Sequence, residues 1–459
     1  MRLNVIRAAL LSLSLTLGLC QHLQAQSSDE LIDTVLGFLA DPDPEVQAIA
    51  LDQIRGEVTG SDATKRFAAA LPSLDQKAQL GLLQALGQRG DVTAKPAVLD
   101  LLDSQSDPAI RAAAISTLGK LGDASDCIRL VRGLRDPEPV AAAARRGLVV
   151  LRGDHVTAEI VRQISGAAIA EQVVLIDILT ERRALDAIPV LLEFAVGADA
   201  TLRQAAMRSL GQLAGPEHVP SLIKAVLAAE PGNERNAAER NLMFVCQRIE
   251  DPAQRAKPVL SALKMLSVDD KTALLPVLGR IGGEAALREI QQAISSRDAS
   301  IHLAGIRGIS NWPDAAVSDD VIDIAKRDPH PDHRRIARMT LLRIAPLPDG
   351  RSDAEKLALL QTAMQLAAND QERAYGLQRA AAIRLVETLR YVMPYVDHPS
   401  LANAACQTVV ELAHDRQLRD DNKAEFDAAL DKVIAITSDE VLIDRAQRYK
   451  KGQTWVRPK

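Results

Sequence analysis

The sequence predicts an all-α fold, a right-handed α–α superhelix in which short helical pairs stack into a solenoid. Three observations carry this. The first is a recurring phrase. "SDPAIRAAAISTLGKLGD" at 106–123 opens on a turn, runs through a small-residue helix and stops at Gly-Asp. "RDPEPVAAAARRGLVVLRGD" and "GADATLRQAAMRSLGQLAGP" repeat it further along. Aligned on the apolar residue near each helix end, one register position falls on Gln47, Gln79, Arg111, Ala141, Gln172, Arg203, Glu239, Lys271, His302 and Arg334. Its spacings are 32, 32, 30, 31, 31, 36, 32, 31 and 32 residues. So regular a period marks a repeat architecture. The second observation is that 47% of residues are hydrophobic but only 2% aromatic, so the apolar surface is mostly Ala, Leu, Ile and Val. Such faces favour many close helix–helix contacts over one large core. The third is that no segment shows sustained strand alternation or hairpin turns.

The chain begins with the pattern of an export leader. Arg2 and Arg7 flank the thirteen-residue, largely apolar run "AALLSLSLTLGLC", and "LQA" ending at Ala25 offers a small-residue cleavage site. The run is shorter than the ~20 residues that a membrane-spanning helix needs. Leu19 precedes Cys20 where a lipid-attachment box calls for Gly, Ala or Ser, so cleavage after Ala25 is expected, and a membrane anchor only if Cys20 is lipidated.

Each repeating unit then reads as two helices. The first half, as in "AKPAVLDLLDS" or "AIPVLLEFAVG", places apolar residues three and four apart. A short break with Asp-Pro or Asp-Ala follows, where Asp can cap the next helix and Pro fits its first turn without losing a hydrogen bond. The second helix ends at Gly122, Gly153, Gly215 or Gly282, expected to form left-handed caps. About twelve to thirteen such pairs are expected.

Asp-Pro, then Val/Ile-Arg, Ala-Ala, Leu-Gly and Gly-Asp at this period resembles HEAT repeats of the phycobilisome-lyase-like subtype, armadillo-type helical solenoids. The resemblance covers residues 29–345 well. "APLPDGRSD" interrupts it, with a linker at 346–351, and 352–448 continue as looser pairs similar to the terminal part of exported bacterial HEAT proteins, before a basic tail at 449–459. The unit from Glu217 to Pro252 departs through its longer loop "AAEPGNERN", and the unit from His155 lacks the Asp-Pro turn. The resemblance implies second helices lining a concave face. It says little about function.

Charge and chemistry narrow the function. Loss of Arg2 and Arg7 with the leader would take the net charge from −5 to −7, and no basic block appears, so nucleic acid is not an expected partner. Cys127, Cys246 and Cys406 are odd in number and far apart, which fits buried small residues rather than a disulfide framework. No phosphate loop, metalloprotease helix or nucleophile elbow is present, so neither catalysis nor a cofactor is expected. "DPHPDHRR" offers His330, Asp332 and His333, zinc-binding residue types. They sit in a turn with no clear fourth ligand nearby and read as capping residues, so no metal is expected. The two "RGD" triplets, 89–91 and 152–154, fall where the repeat demands Gly-Asp.

Two arginine columns remain. Arg111 and Arg203 each follow an acid by four residues, Asp107 and Asp199, which reads as a structural ladder. Arg146, Arg208 and Arg307 repeat five residues later without such an acid, and are the candidate partner-binding residues, although Asp177 and Pro276 occupy the same register elsewhere. The expected function is an exported (periplasmic or secreted) non-catalytic scaffold that binds a protein partner along its concave face. The rivals are a lyase-like or ligand-handling accessory of an enzyme, suggested by the resemblance, and an architectural envelope spacer.

Overall fold

The computed structural model describes residues 21–455, with side chains from residue 29 onward. The leader expected up to residue 20, including Cys20, lies outside the described residues. The first described helix, Gln21–Leu39, runs across the expected cleavage point after Ala25. The last four residues of the basic tail also lie outside.

The chain divides into two compact units, one ending at Leu213 and the other beginning at Ala214. This division falls inside the stretch read as one run of repeats. Among the described residues, six helical pairs build the first unit, and seven pairs with the short extra helix Arg416–Asp421 the second, with no strand. In the first unit, Gln76–Arg89, Pro108–Leu121 and Val140–Val150 pack on one another, while first helices such as Cys127–Gly133 and Val156–Ile164 pack in a second layer. The second unit repeats this with Asn233–Cys246, Val268–Ile281 and Ala299–Ser310 as successive second helices. Stacking continues through 346–351, because Asp353–Leu366 packs on Pro331–Ile344. The all-α superhelix class follows from this two-layer order. No described helix is long and apolar enough to cross a membrane.

Capping chemistry explains where helices start. The side chains of Asp43, Asp107 and Asp298 accept backbone N–H groups at their helix starts, with Pro44 and Pro108 in the first turn. Two Asp-Pro turns behave otherwise. In "RDPEP" and "RDPHP" a second proline delays the helix, so Pro139 and His330 take the cap position without a side-chain bond. Asp136 and Asp328 are thereby released for other partners.

The helix ends correct one expectation. Gly153 and Gly282 have positive φ, but Gly122 and Gly215 are extended, at φ −81° and −87°. Glycine serves close approach there: a Cβ on Gly122 would lie 2.6 Å from the Leu118 carbonyl oxygen and 2.7 Å from Asp126 Oδ2.

Second helices cross where glycine meets glycine. A Cβ on Gly119 would lie 2.4 Å from Gly147 Cα, and one on Gly279 only 1.8 Å from Gly308 O. Both pairs hold the same register, eight residues past the repeat position in one unit and six past it in the next. Close backbone approach is thus tied to the same register positions in these two pairs.

Candidate functional site

The repeat position explains itself in the structure. Gln79 Nε2 donates to Leu71 O, Gln172 Nε2 to Ile164 O, and His302 Nδ1 lies 2.5 Å from Ile294 O. Arg203 and Arg334 reach the carbonyls five and six residues before them, Gly197 and Ala198 for one, Asp328 and Pro329 for the other. Each side chain thus donates to a backbone carbonyl near the end of the first helix of its own unit. Gln, Arg and His are interchangeable here because each presents an N–H at the right reach.

Arg111 instead crosses to the following turn, where Nη2 meets Asp136 Oδ2 at 2.7 Å. Asp107 is occupied capping Ala109 and Ile110 and accepting from Gln76. Asp199 likewise accepts from the Leu202 N–H. The expected acid for Arg111 is therefore replaced by the one that the double-proline turn releases.

A second set of arginines went unrecognised in the sequence. Arg89, in the last turn of a second helix, donates to Ile54 O, Val58 O and Gly60 O of the preceding unit. Arg182 reaches Leu148 O and Val149 O, and Arg343 reaches Ser310 O and Trp312 O. Burial pulls the basicity of Arg89, Arg182 and Arg343 down, while their carbonyl partners hold them in place. These braces tie each unit to the one before. They also occupy the first "RGD": Arg89 is bound as described and Asp91 accepts from Thr93 N–H and Thr64 Oγ1. The second copy, 152–154, is exposed.

Of the candidate partner-binding residues, Arg208 pairs with Asp177 at 3.0 Å. Asp177, which interrupts the arginine column in the sequence, is the counter-charge of the next member of that column. Arg146 and Arg307 are exposed and make no side-chain hydrogen bond or ion pair among the described residues. Arg307 lines a cavity of about 510 Å³ formed by three second helices, together with Arg235, Glu239, Thr272, Pro276 and Arg280. Pro276 helps open it: inside Val268–Ile281 it has no N–H to offer the Thr272 carbonyl. On one wall Glu239 is buried and 3.4 Å from Arg280 Nε. Desolvation pushes its carboxyl up against the pull of Arg280, Arg235 and Arg240. The cavity carries more guanidinium than carboxylate, so it suits an anionic group.

The thiols of Cys127, Cys246 and Cys406 are buried. Desolvation pushes Cys127 and Cys246 up to about 12, so they stay protonated at neutral pH. Trp312 is core, as its register suggests.

The histidines of "DPHPDHRR" do not stand alone. His302, from the preceding unit, and His333 both face the buried Asp328 carboxylate, His302 Nε2 at 3.0 Å from Oδ2 and His333 Nδ1 at 3.1 Å from Oδ1. The His330 ring lies 4.7 Å from that of His333, and its backbone N–H donates to Asp328 Oδ1. Asp332, the acid picked from sequence, is exposed at the helix start. The sequence missed the arrangement because His302 is 26 residues away from Asp328.

The family model for HEAT repeats matches residues 63–149. No curated protein sequence matches the chain. Similar solved structures include the karyopherin Kap121p bound to the extreme C-terminus of the phosphatase Cdc14p, at 12% identity and TM-score 0.49, covering 91% of this chain and 53% of that one. The chain thus spans about half the length of that karyopherin. Others are human deoxyhypusine hydroxylase (18% identity, 63% of this chain and 98% of that one, TM-score 0.25) and the CpcE–CpcF phycocyanin lyase complex from Nostoc sp. (19%, 66% and 91%, TM-score 0.22). At such identities and TM-scores no shared activity or partner follows. The family match stands on its own: residues 63–149 match HEAT repeats, and helical pairs of the same register extend before and after them.

Proposed function

We propose that this chain is an exported, non-catalytic scaffold that binds a protein partner along the face of its second helices. The observation that carries the reading is the exposed, uncompensated positive charge on that face. Arg146 stands on it in the first unit, and in the second Arg307 stands at the rim of a cavity already rich in guanidinium groups. Arginine anchors protein interfaces because its planar group binds carboxylates in two-point fashion and stacks on rings. Repeat proteins offer extended surfaces for such contacts. Export rests on the leader pattern, Arg2 and Arg7 before an apolar run that ends near Ala25.

Ligand handling is the second reading, favoured by the cavity itself, whose volume lies within the usual range of about 300–1,000 Å³ for small-molecule sites. A carboxylate or phosphate compound would be the matching ligand class.

Crosslinked pull-downs from the native envelope fraction test the scaffold reading, comparing wild type with Arg146→Glu/Arg307→Glu. Both arginines are exposed, so the melting temperature should hardly move. Loss of a specific crosslinked protein in the double variant is the expected result. Identical capture by both chains would exclude this face as the binding surface.

A further inference from the structure

The repeat position normally does one job, bracing a carbonyl, and Gln79 and Gln172 do it with a single amide. His302 does it with Nδ1, at 2.5 Å from Ile294 O. A carbonyl oxygen only accepts, so the proton sits on Nδ1. That leaves Nε2, in a neutral ring, as a lone pair aimed at the Asp328 carboxylate 3.0 Å away. Two lone pairs do not attract; a cation has to sit between them, either a second proton or a metal ion. A histidine whose far nitrogen is fixed by a carbonyl is also the usual state of a metal ligand.

Asp328 is buried and carries a second imidazole, His333, at 3.1 Å. His333 stands at a register position that is apolar in most units, held by Val46, Ile110, Val140 and Leu202 among others. Its presence there is thus not a demand of the repeat. Arg334, next to it, is turned to the backbone carbonyl of Asp328 and leaves the carboxylate to the histidines. One ligand atom from each of His302, Asp328 and His333 lies within 4.8 Å of the others. A tetrahedral zinc site with bonds near 2.0–2.1 Å sets its ligand atoms about 3.3 Å apart. The ligand atoms would have to close in by up to about 1.5 Å to meet such an ion.

We propose that His302, Asp328 and His333 bind one divalent transition-metal ion of the zinc class. Two imidazoles and a carboxylate suit zinc, cobalt or nickel and do not suit calcium or magnesium, which take all-oxygen shells. The ion joins the second helix of one unit to the turn of the next, clamping two repeats. The fourth position falls to water or to the exposed His330 ring, 4.7 Å from that of His333.

The probes are cobalt and zinc alone, titrated into the untagged, chelator-treated full chain. Wild type should take up one cobalt ion per chain with visible d–d absorption of a tetrahedral site, and one zinc ion by calorimetry. His302→Gln keeps the carbonyl brace, as Gln79 and Gln172 do, and removes the ligand; it should weaken zinc binding by more than the ~10–100-fold typical of losing an outer-shell partner. His333→Ala should do the same. If His302→Gln is less stable without metal, its affinity is read from the fraction shown folded by far-UV circular dichroism. Zinc binding equal in wild type and His302→Gln, or no cobalt d–d band, would overturn the proposal and assign the cluster to an imidazolium held by Asp328.

Discussion

Replacing Gly279 by alanine should destabilise the second unit, although alanine is the better helix former. An alanine Cβ at 279 would sit 1.8 Å from Gly308 O and 2.5 Å from Gly308 C, where ordinary contacts begin at 3.4 Å. The helices Val268–Ile281 and Ala299–Ser310 would have to part locally by about 1.6 Å, and both obstacles are backbone, so no side-chain rotation relieves the clash. Overpacking costs ~1–3 kcal/mol and sometimes more, and this case belongs at the upper end. The gain in helix propensity returns about 1 kcal/mol. The net loss is about 2 kcal/mol, or a melting-temperature drop of roughly 4–8 °C for a unit of this size. Buried Trp312, whose ring lies 4.0 Å from a Cβ built on Gly282, reports on this unit by fluorescence in a Trp455→Phe background. The control is Gly37→Ala, in the exposed part of a helix with nothing within 4 Å, which should gain roughly 0.5–1 kcal/mol; it lies in the first unit and is followed by circular dichroism. If Gly279→Ala matches or exceeds wild type, the helices do not cross at that distance and the packing argument fails.

Three further outcomes follow from the braces and caps. Arg338→Met should cost about 3–5 kcal/mol in urea unfolding, because it strands Glu372, which is 3% exposed and receives Arg338 at 2.8 and 2.9 Å; adding Glu372→Leu should recover most of the loss. Arg89→Lys should cost roughly 2–3 kcal/mol despite its retained charge, since one ammonium cannot span the carbonyls of Ile54, Val58 and Gly60; a loss below measurement would argue against the brace. Burial pushes Asp91 up, but hydrogen bonds from Thr93 N–H and the Thr64, Thr93 and Ser61 hydroxyls outweigh it, holding the carboxyl at about 2. Its folded value lies below the usual ~3.9, so its contribution is complete above that range and lost as pH falls toward 2. The stability–pH curve of Asp91→Asn should therefore be flatter than wild type across that window.

The helical pairs could be read from sequence because apolar spacing, Asp-Pro turns and Gly ends are local features, each acting within a few residues. The glycine crossings were half legible. Leu-Gly is visible in the phrase, but that Gly119 faces Gly147 requires knowing which register positions meet between units. The repeat position was misleading for a chemical reason: Gln79, Arg203 and His302 look like amide, cation and base, yet each meets a carbonyl at the end of its unit's first helix. Residue type there reports on reach, and only a side chain with a group left over can do anything further. Arg111 makes no such brace and reaches Asp136, a turn acid released by a second proline. His302 meets the same kind of acid, Asp328, released in the same way. The difference is that a guanidinium completes an ion pair by itself, whereas an imidazole braced through Nδ1 leaves Nε2 facing the carboxylate, where the proposed metal ion would sit. The sequence shows the "RDPEP" and "RDPHP" turns, and with the register known, the residue one unit upstream of each can be read directly. In this fold, chemistry beyond structure is found by asking which repeat positions hold a group that the brace does not consume. Arg146 and Arg307 lie five residues past the repeat position, on a face that the brace does not use, and both are exposed.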